Sequence, residues 1–237
     1  MKRALLLPIA AVLSGCSDSA PPADLSNLSR PKQILELRAT IAKSGAKAGS
    51  RELWNKLGEV ALEEGDAVTA IEAFQKSGDA AQEKTARAWM DPGAFPPVPA
   101  GTAAELYASA ASVQLAIDST FPVRANVTCK LTRAGRLFFE AGDREAAGQC
   151  VQRAQPLVTA ILKTTHPSLL AYHLAADHDE LYGDMLFGNR HWGEARGMYQ
   201  NNVMRFKSWD PPNDYTRKRL EQARGKVAAC EKKMIPK

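Results

Sequence analysis

Arg51–Asp79, RELWNKLGEVALEEGDAVTAIEAFQKSGD, is the stretch whose reading decides the fold. Trp54, Leu57, Gly58 and Ala61 fall on one face of a helix, and Ala70 and Phe74 fall on one face of a second. Between the two runs stands Gly65-Asp66, a glycine that can end one helix and an aspartate that can cap the next. Small residues at Gly58 and Ala70 let two antiparallel helix backbones approach closely, while Trp54, Leu57 and Phe74 fill the space around that contact.

The same offsets return twice. Gly135, Gly142-Asp143, Ala147 and Val151 reproduce Gly58, Gly65-Asp66, Ala70 and Phe74, with Phe138 standing where Ala61 stood. Gly183, Ala195 and Tyr199 form a third copy, with Trp192 and Glu194 near its turn. The glycine-to-alanine step is twelve residues in all three. These positions, in this order, resemble the tetratricopeptide repeat, and the resemblance implies helix pairs at about 51–84, 126–160 and 168–206. Spacing between copies is irregular, 77 residues from Gly58 to Gly135 and 48 from Gly135 to Gly183, against about 34 in the usual repeat. His166-Pro167 before a helix and the turn Asn189–Ala195 resemble the longer repeats of the kinesin light chain type. The fold implied is all-α, antiparallel helix pairs stacked as a right-handed solenoid, with a C-terminal capping helix. Pro156 falls within the second helix of the middle copy and predicts an interruption or kink there.

Long alternating apolar and polar runs are missing and aromatic residues are only 7%, which argues against strands and against doubly wound or barrel folds. The first residues are set aside before the fold is considered. Lys2 and Arg3 precede the apolar run ALLLPIAAVL and then Ser14-Gly15-Cys16, a short secretory signal over 1–15. Leu-Ser-Gly-Cys resembles the lipobox of bacterial lipoproteins, which implies cleavage before Cys16 and lipid attachment to its thiol. Ser17 at the next position implies transfer to the periplasmic face of the outer membrane, although Asp18 follows it. Residues 16–30, rich in Ser, Pro and Asp, read as a flexible tether, and 31–237 as one helical domain.

Removing the signal leaves 29 basic against 26 acidic side chains, too small an excess to imply nucleic acid as a partner. Arg205–Lys237 nevertheless carries ten Lys or Arg against four Asp or Glu. Either a solvated terminal helix or a basic face for anionic lipid or an acidic partner accounts for this.

Elements outside the copies follow from their punctuation. Pro31–Lys43 reads as a helix closed by Gly45, and Ala80–Met90 as one anchored by Trp89. Residues 91–101, DPGAFPPVPAG, hold four prolines and form a long loop in which Phe95 either docks on the body or marks a contact point. Thr102 with Glu105 makes a capping box for a helix carrying Leu106, Tyr107, Ala110, Val113 and Ala116 or Ile117, expected to end at Phe121-Pro122 and to pair with Ala80–Met90. After Asp210–Asn213 a final helix runs to Lys232 with Leu220, Ala223, Val227 and Ala228 as its apolar stripe.

Catalytic and metal motifs are missing. His173 and Asp177 share a helix face while His178 turns away, solvated positions by expectation, and neither HExxH, paired cysteines, a P-loop nor G-x-S-x-G occurs. No metal, cofactor or catalytic residue is therefore assigned. Glu63 and Glu140, each five residues after its anchor glycine, read as solvated acids. Cys129 and Cys150 lie at similar heights on the two helices of the middle copy, leaving a disulfide and buried free thiols both open.

In tetratricopeptide proteins the first helix of each pair lines a concave groove. Carried onto this chain, the resemblance places Asn55, Glu59 and Leu62, then Thr132, Arg136 and Phe139, then Glu180, Asp184 and Phe187 on that groove. The function implied is a non-catalytic, lipid-anchored periplasmic scaffold for a protein or peptide partner. The alternatives are a cell-envelope hydrolase working near His173 and the proline loop, or a cell-wall or lipid-binding structural protein.

Overall fold

The protein is described from a computed structural model, which describes residues 25–44, 50–113 and 119–235. Among these the regular structure is helical: α1 (Arg30–Ser44), α2 (Ser50–Glu64), α3 (Ala67–Ser77), α4 (Ala80–Ala88), α5 (Ala103–Ala111), α6 (Phe121–Glu140), α7 (Arg144–Ile161), α8 (Leu169–Gly188), α9 (Trp192–Lys207) and α10 (Asp214–Met234). Helices next to each other in sequence pack together from α1 to α4 and from α5 to α10, and α6 also touches both α2 and α8. The first helices of the three copies, α2, α6 and α8, are thus in direct sequence of contact. The signal, Cys16, Gly45 and Ala116–Ile117 lie outside the described residues.

The anchor glycines are sites of close packing. A Cβ on Gly58 would lie 2.6 Å from the Phe74 ring, and one on Gly183 would lie 2.5 Å from the Tyr199 ring, so in both copies the aromatic of the second helix fills the glycine's hollow. The middle copy has only Val151 at that position. There the hollow at Gly135 is filled instead by Leu181 of α8, 2.8 Å from the added carbon, and by Cys150 at 3.0 Å.

Turn chemistry follows the sequence in two copies and departs in the third. Gly65 takes φ of 97° and Asp66 accepts from the Thr69 amide at 3.0 Å, while Gly142 at 86° precedes Asp143, which caps Ala146 in the same way. In the third copy Arg190 occupies the left-handed region at 65° and His191 makes no side-chain cap.

Several expectations are corrected. Phe121-Pro122 opens α6 rather than ending the preceding helix, because proline in the first turn has no intrahelical amide bond to lose. The helix capped by Thr102 and Glu105 packs on α6, not on α4, since Leu106 joins Ala134 and Cys150 in one apolar cluster. α7 runs through Pro156 as one helix. The expected tether ends early, for Leu25 packs beside Leu37, Leu57 and Val60. On α10, Ala228 is exposed and the buried stripe continues instead to Cys230.

The largest apolar cluster joins Ala67, Trp89, Phe121, Ile161, Leu170 and Leu174, from α3, the end of α4, α6, α7 and α8. Trp89 also accepts from the Leu170 amide at 2.9 Å, tying the chain before the proline segment to the start of α8.

Replacing Gly58 or Gly183 by Ala is expected to lower unfolding free energy by about 1–3 kcal/mol through overpacking, whereas Gly193→Ala, with open space around it, costs less than about 0.5 kcal/mol. Urea denaturation of the three variants checks the contrast.

Candidate functional site

One stripe of α6 comprises Phe121, Ala125, Cys129, Arg133, Arg136 and Glu140, spaced three and four residues apart. It faces Leu170, His173, Leu174, Asp177 and Glu180 of α8 across a cleft of about 570 Å³. Residues 96–99 of the proline segment form a third wall, Trp89 closes the apolar end, and Arg219 reaches in from α10. The cleft therefore has an apolar end near Phe121 and a charged end near Glu140.

Phe95 docks on the body. Its ring stacks on His173 with centroids 5.1 Å apart and meets Tyr215 edge-on at 5.9 Å, which holds the proline segment against the cleft. Tyr215 Oη and His173 Nδ1 are 2.7 Å apart, and His173 Nε2 lies 3.5 Å from Asp177. Burial depresses the imidazole's pKa below its ordinary value, outweighing the pull of Asp177. The ring is thus neutral at neutral pH. Burial also raises the Tyr215 pKa, so the hydroxyl beside Nδ1 keeps its proton.

The acids of α8 are neutralised from within the fold. Arg219 bonds Asp177 at 2.7 Å and lies 3.6 Å from Glu180, and Lys226 lies 2.7 Å from Glu180 and 2.6 Å from Asp184. Asp184 also receives Tyr199 Oη at 2.7 Å and the guanidinium of Arg136. Burial opposes ionisation of Asp184, yet the bonds from Lys226, Arg136 and Tyr199 prevail and hold its carboxyl below the usual range. Part of the basic charge of the last helix thus serves to close α10 on α8.

Of the groove positions carried over by resemblance, Thr132, Arg136 and Glu180 line the cleft. Asp184 is held by its three donors. Asn55 accepts from Ser77 Oγ at 3.0 Å, Glu59 pairs with Lys56 at 3.3 Å, and Leu62 packs against the clusters around Phe74 and Phe121. None of these three is on the cleft wall. Phe187 packs with Ala195, Tyr199 and Cys230 beneath the last two helices, and Phe139 is half-buried away from the cleft wall. The expected apolar rung of Leu62, Phe139 and Phe187 is therefore not assembled.

Asn126, Cys129, Arg133 and Arg219 were missed in the sequence. The first three follow from the 3.6 period once Arg136 is placed on the groove, whereas Arg219 arrives through the folding back of α10. His178, expected in solvent, is fully buried, with Nε2 3.2 Å from the Val151 carbonyl and Nδ1 3.2 Å from Asp179, which Arg205 pairs at 3.1 Å. Cys129 and Cys150 are free thiols belonging to different apolar clusters, so the disulfide is not formed. Burial, helped by Asp177, pushes the Cys129 thiol up to about 11 and leaves it protonated at neutral pH.

Among the described residues no group of three His, Cys, Asp or Glu side chains could hold a metal ion. No helix among them is long and apolar enough to cross a membrane. No protein-family model matches the chain, and no curated protein or solved structure matches it at a significant level.

Because Asp184 has a depressed native pKa, its contribution is present above the ordinary carboxylate value of 3.8 and is lost as pH falls through the lower native value. Unfolding free energy of the wild type is expected to fall across that acid window more steeply than that of Asp184→Asn. The substitution itself is expected to cost about 2 kcal/mol at pH 7. Urea titrations at several pH values read both.

Proposed function

We propose that this chain is a lipid-anchored periplasmic scaffold on the outer membrane, non-catalytic, whose helix pairs continue as a tetratricopeptide-like right-handed solenoid and take a protein or peptide segment on the face of α6 and α8. The observation that carries this reading is the cleft itself, which lies between the first helices of two successive copies, where such repeats present their groove. Its stripe on α6 runs from Phe121 to Glu140, roughly 28 Å at 1.5 Å per residue, a length suited to an extended segment. Anchoring rests on the lipobox resemblance around Cys16.

A cell-envelope hydrolase is the second reading, favoured by His173 and Asp177 on the cleft wall with Tyr215 Oη beside His173 Nδ1. Against a cysteine nucleophile stands the protonated Cys129.

Two experiments test the scaffold. Crosslinking in intact cells is expected to capture a defined partner with wild-type protein and with Glu59→Ala, and to lose it with Asn126→Trp, which fills the cleft from an exposed position. Equal capture by Asn126→Trp would place the partner elsewhere. Cys16→Ala is expected to move the protein from the membrane fraction to the soluble fraction and to abolish labelling by palmitate; a variant still membrane-bound and labelled contradicts the anchor.

A further inference from the structure

The two ends of the cleft ask for different chemistry. At the apolar end the walls are Trp89, Phe121, Leu170 and Leu174, and the facing prolines 96, 97 and 99 bring no N–H donors. A hydrocarbon chain lying there asks for no hydrogen-bond donor. Further along α6, Arg133 is the cation of the cleft wall that has no anionic partner among the described residues, since Arg136 is held by Asp184 and Arg219 by Asp177 and Glu180. Beside it, the Thr132 hydroxyl is buried without a hydrogen-bond partner. Arg133 stands eight residues beyond Ala125, roughly 12 Å along the helix, which is the reach of a medium-length acyl chain. Asp177 and Glu180 do not oppose an anion there, being neutralised by Arg219 and Lys226, and Glu140 is exposed seven residues further on.

We propose that this cleft binds a single hydrocarbon chain ending in an anionic group, with the chain lying over the apolar floor of Trp89, Leu170 and Leu174 beneath residues 96–99 and the anion on Arg133 beside Thr132. This goes beyond the scaffold reading, which places a polypeptide in the same cleft; capture in cells tests the polypeptide and direct titration with chain-bearing probes tests this proposal, so the two failures are told apart. The chemistry is shared by a free long-chain carboxylate and by a single-chain anionic phospholipid.

Calorimetry on the full chain, with every probe below its micelle concentration, decides the matter. Dodecanoate is expected to bind one to one, at least tenfold tighter than dodecyltrimethylammonium and at least tenfold tighter than octanoate. Arg133→Gln, with circular dichroism and melting temperature unchanged, is expected to weaken dodecanoate about tenfold and to erase the preference for the anion, while Arg133→Lys keeps most of it. Should Arg133→Gln fold poorly, the charge preference of the wild type and the Arg133→Lys variant carry the test. Lysophosphatidylglycerol binding as tightly as dodecanoate assigns the site to lipid, and failure of that probe alone assigns it to the free carboxylate; both support the proposal. Equal binding of the cationic probe, an unchanged preference in folded Arg133→Gln, or no binding of any chain-bearing probe overturns it.

Discussion

The ring of Phe121 lies against Gly65, and the rest of the structure depends on that contact. A Cβ at Gly65 would fall 2.5 Å from the Phe121 ring, so the α2–α3 turn, which already requires a left-handed residue, is also a socket for the first side chain of α6. The same ring lies 4.6 Å from that of Trp89 at the end of α4 and is fully buried. One aromatic thus joins the first helix hairpin to the later helices. Burying such a side chain stabilises by about 2–3 kcal/mol, but its position matters more than its area. His166 beside Asp66 at 3.3 Å, and the bond from Leu170 to the Trp89 carbonyl, converge on the same place.

That junction also sets the cleft. The proline segment leaves the body just after Trp89, α6 begins at Phe121, and α8 begins at Leu169, so three walls start from one cluster. At the other end the polar network of Asp177, Glu180 and Asp184 with Arg219, Lys226, Arg136 and Tyr199 fixes α10 across α8. The cleft is apolar where the junction lies and charged where this network begins. Its polarity is a consequence of which contacts close the two ends of the helix array.

Much of the fold was legible because helix signals are local. The Gly58 and Gly183 hollows join residues sixteen positions apart, and the Gly-Asp turns of two copies and the Thr102 capping box join residues three or four apart, so the sequence carries them openly. Phe121-Pro122 was misread because proline is compatible both with the end of a helix and with the first turn of one; only the socket at Gly65 decides between them. His178 was misread because its partners, the Val151 carbonyl and the Asp179–Arg205 pair, come from three different helices. The site was half legible for a related reason. Thr132, Arg136 and Glu180 follow from repeat offsets, whereas Phe187 was claimed by α9 and α10, and Glu59 and Asn55 found partners on the first hairpin, which the offsets do not encode.

A double-mutant cycle between Gly65 and Phe121 tests the central contact most directly. Gly65→Ala is measured by urea denaturation in the wild type and in Phe121→Leu, so that backbone strain, common to both backgrounds, cancels. If the ring occupies the socket, the alanine costs at least about 1 kcal/mol less once Phe121 is replaced. Additive costs, equal in the two backgrounds within about 0.3 kcal/mol, would contradict the account.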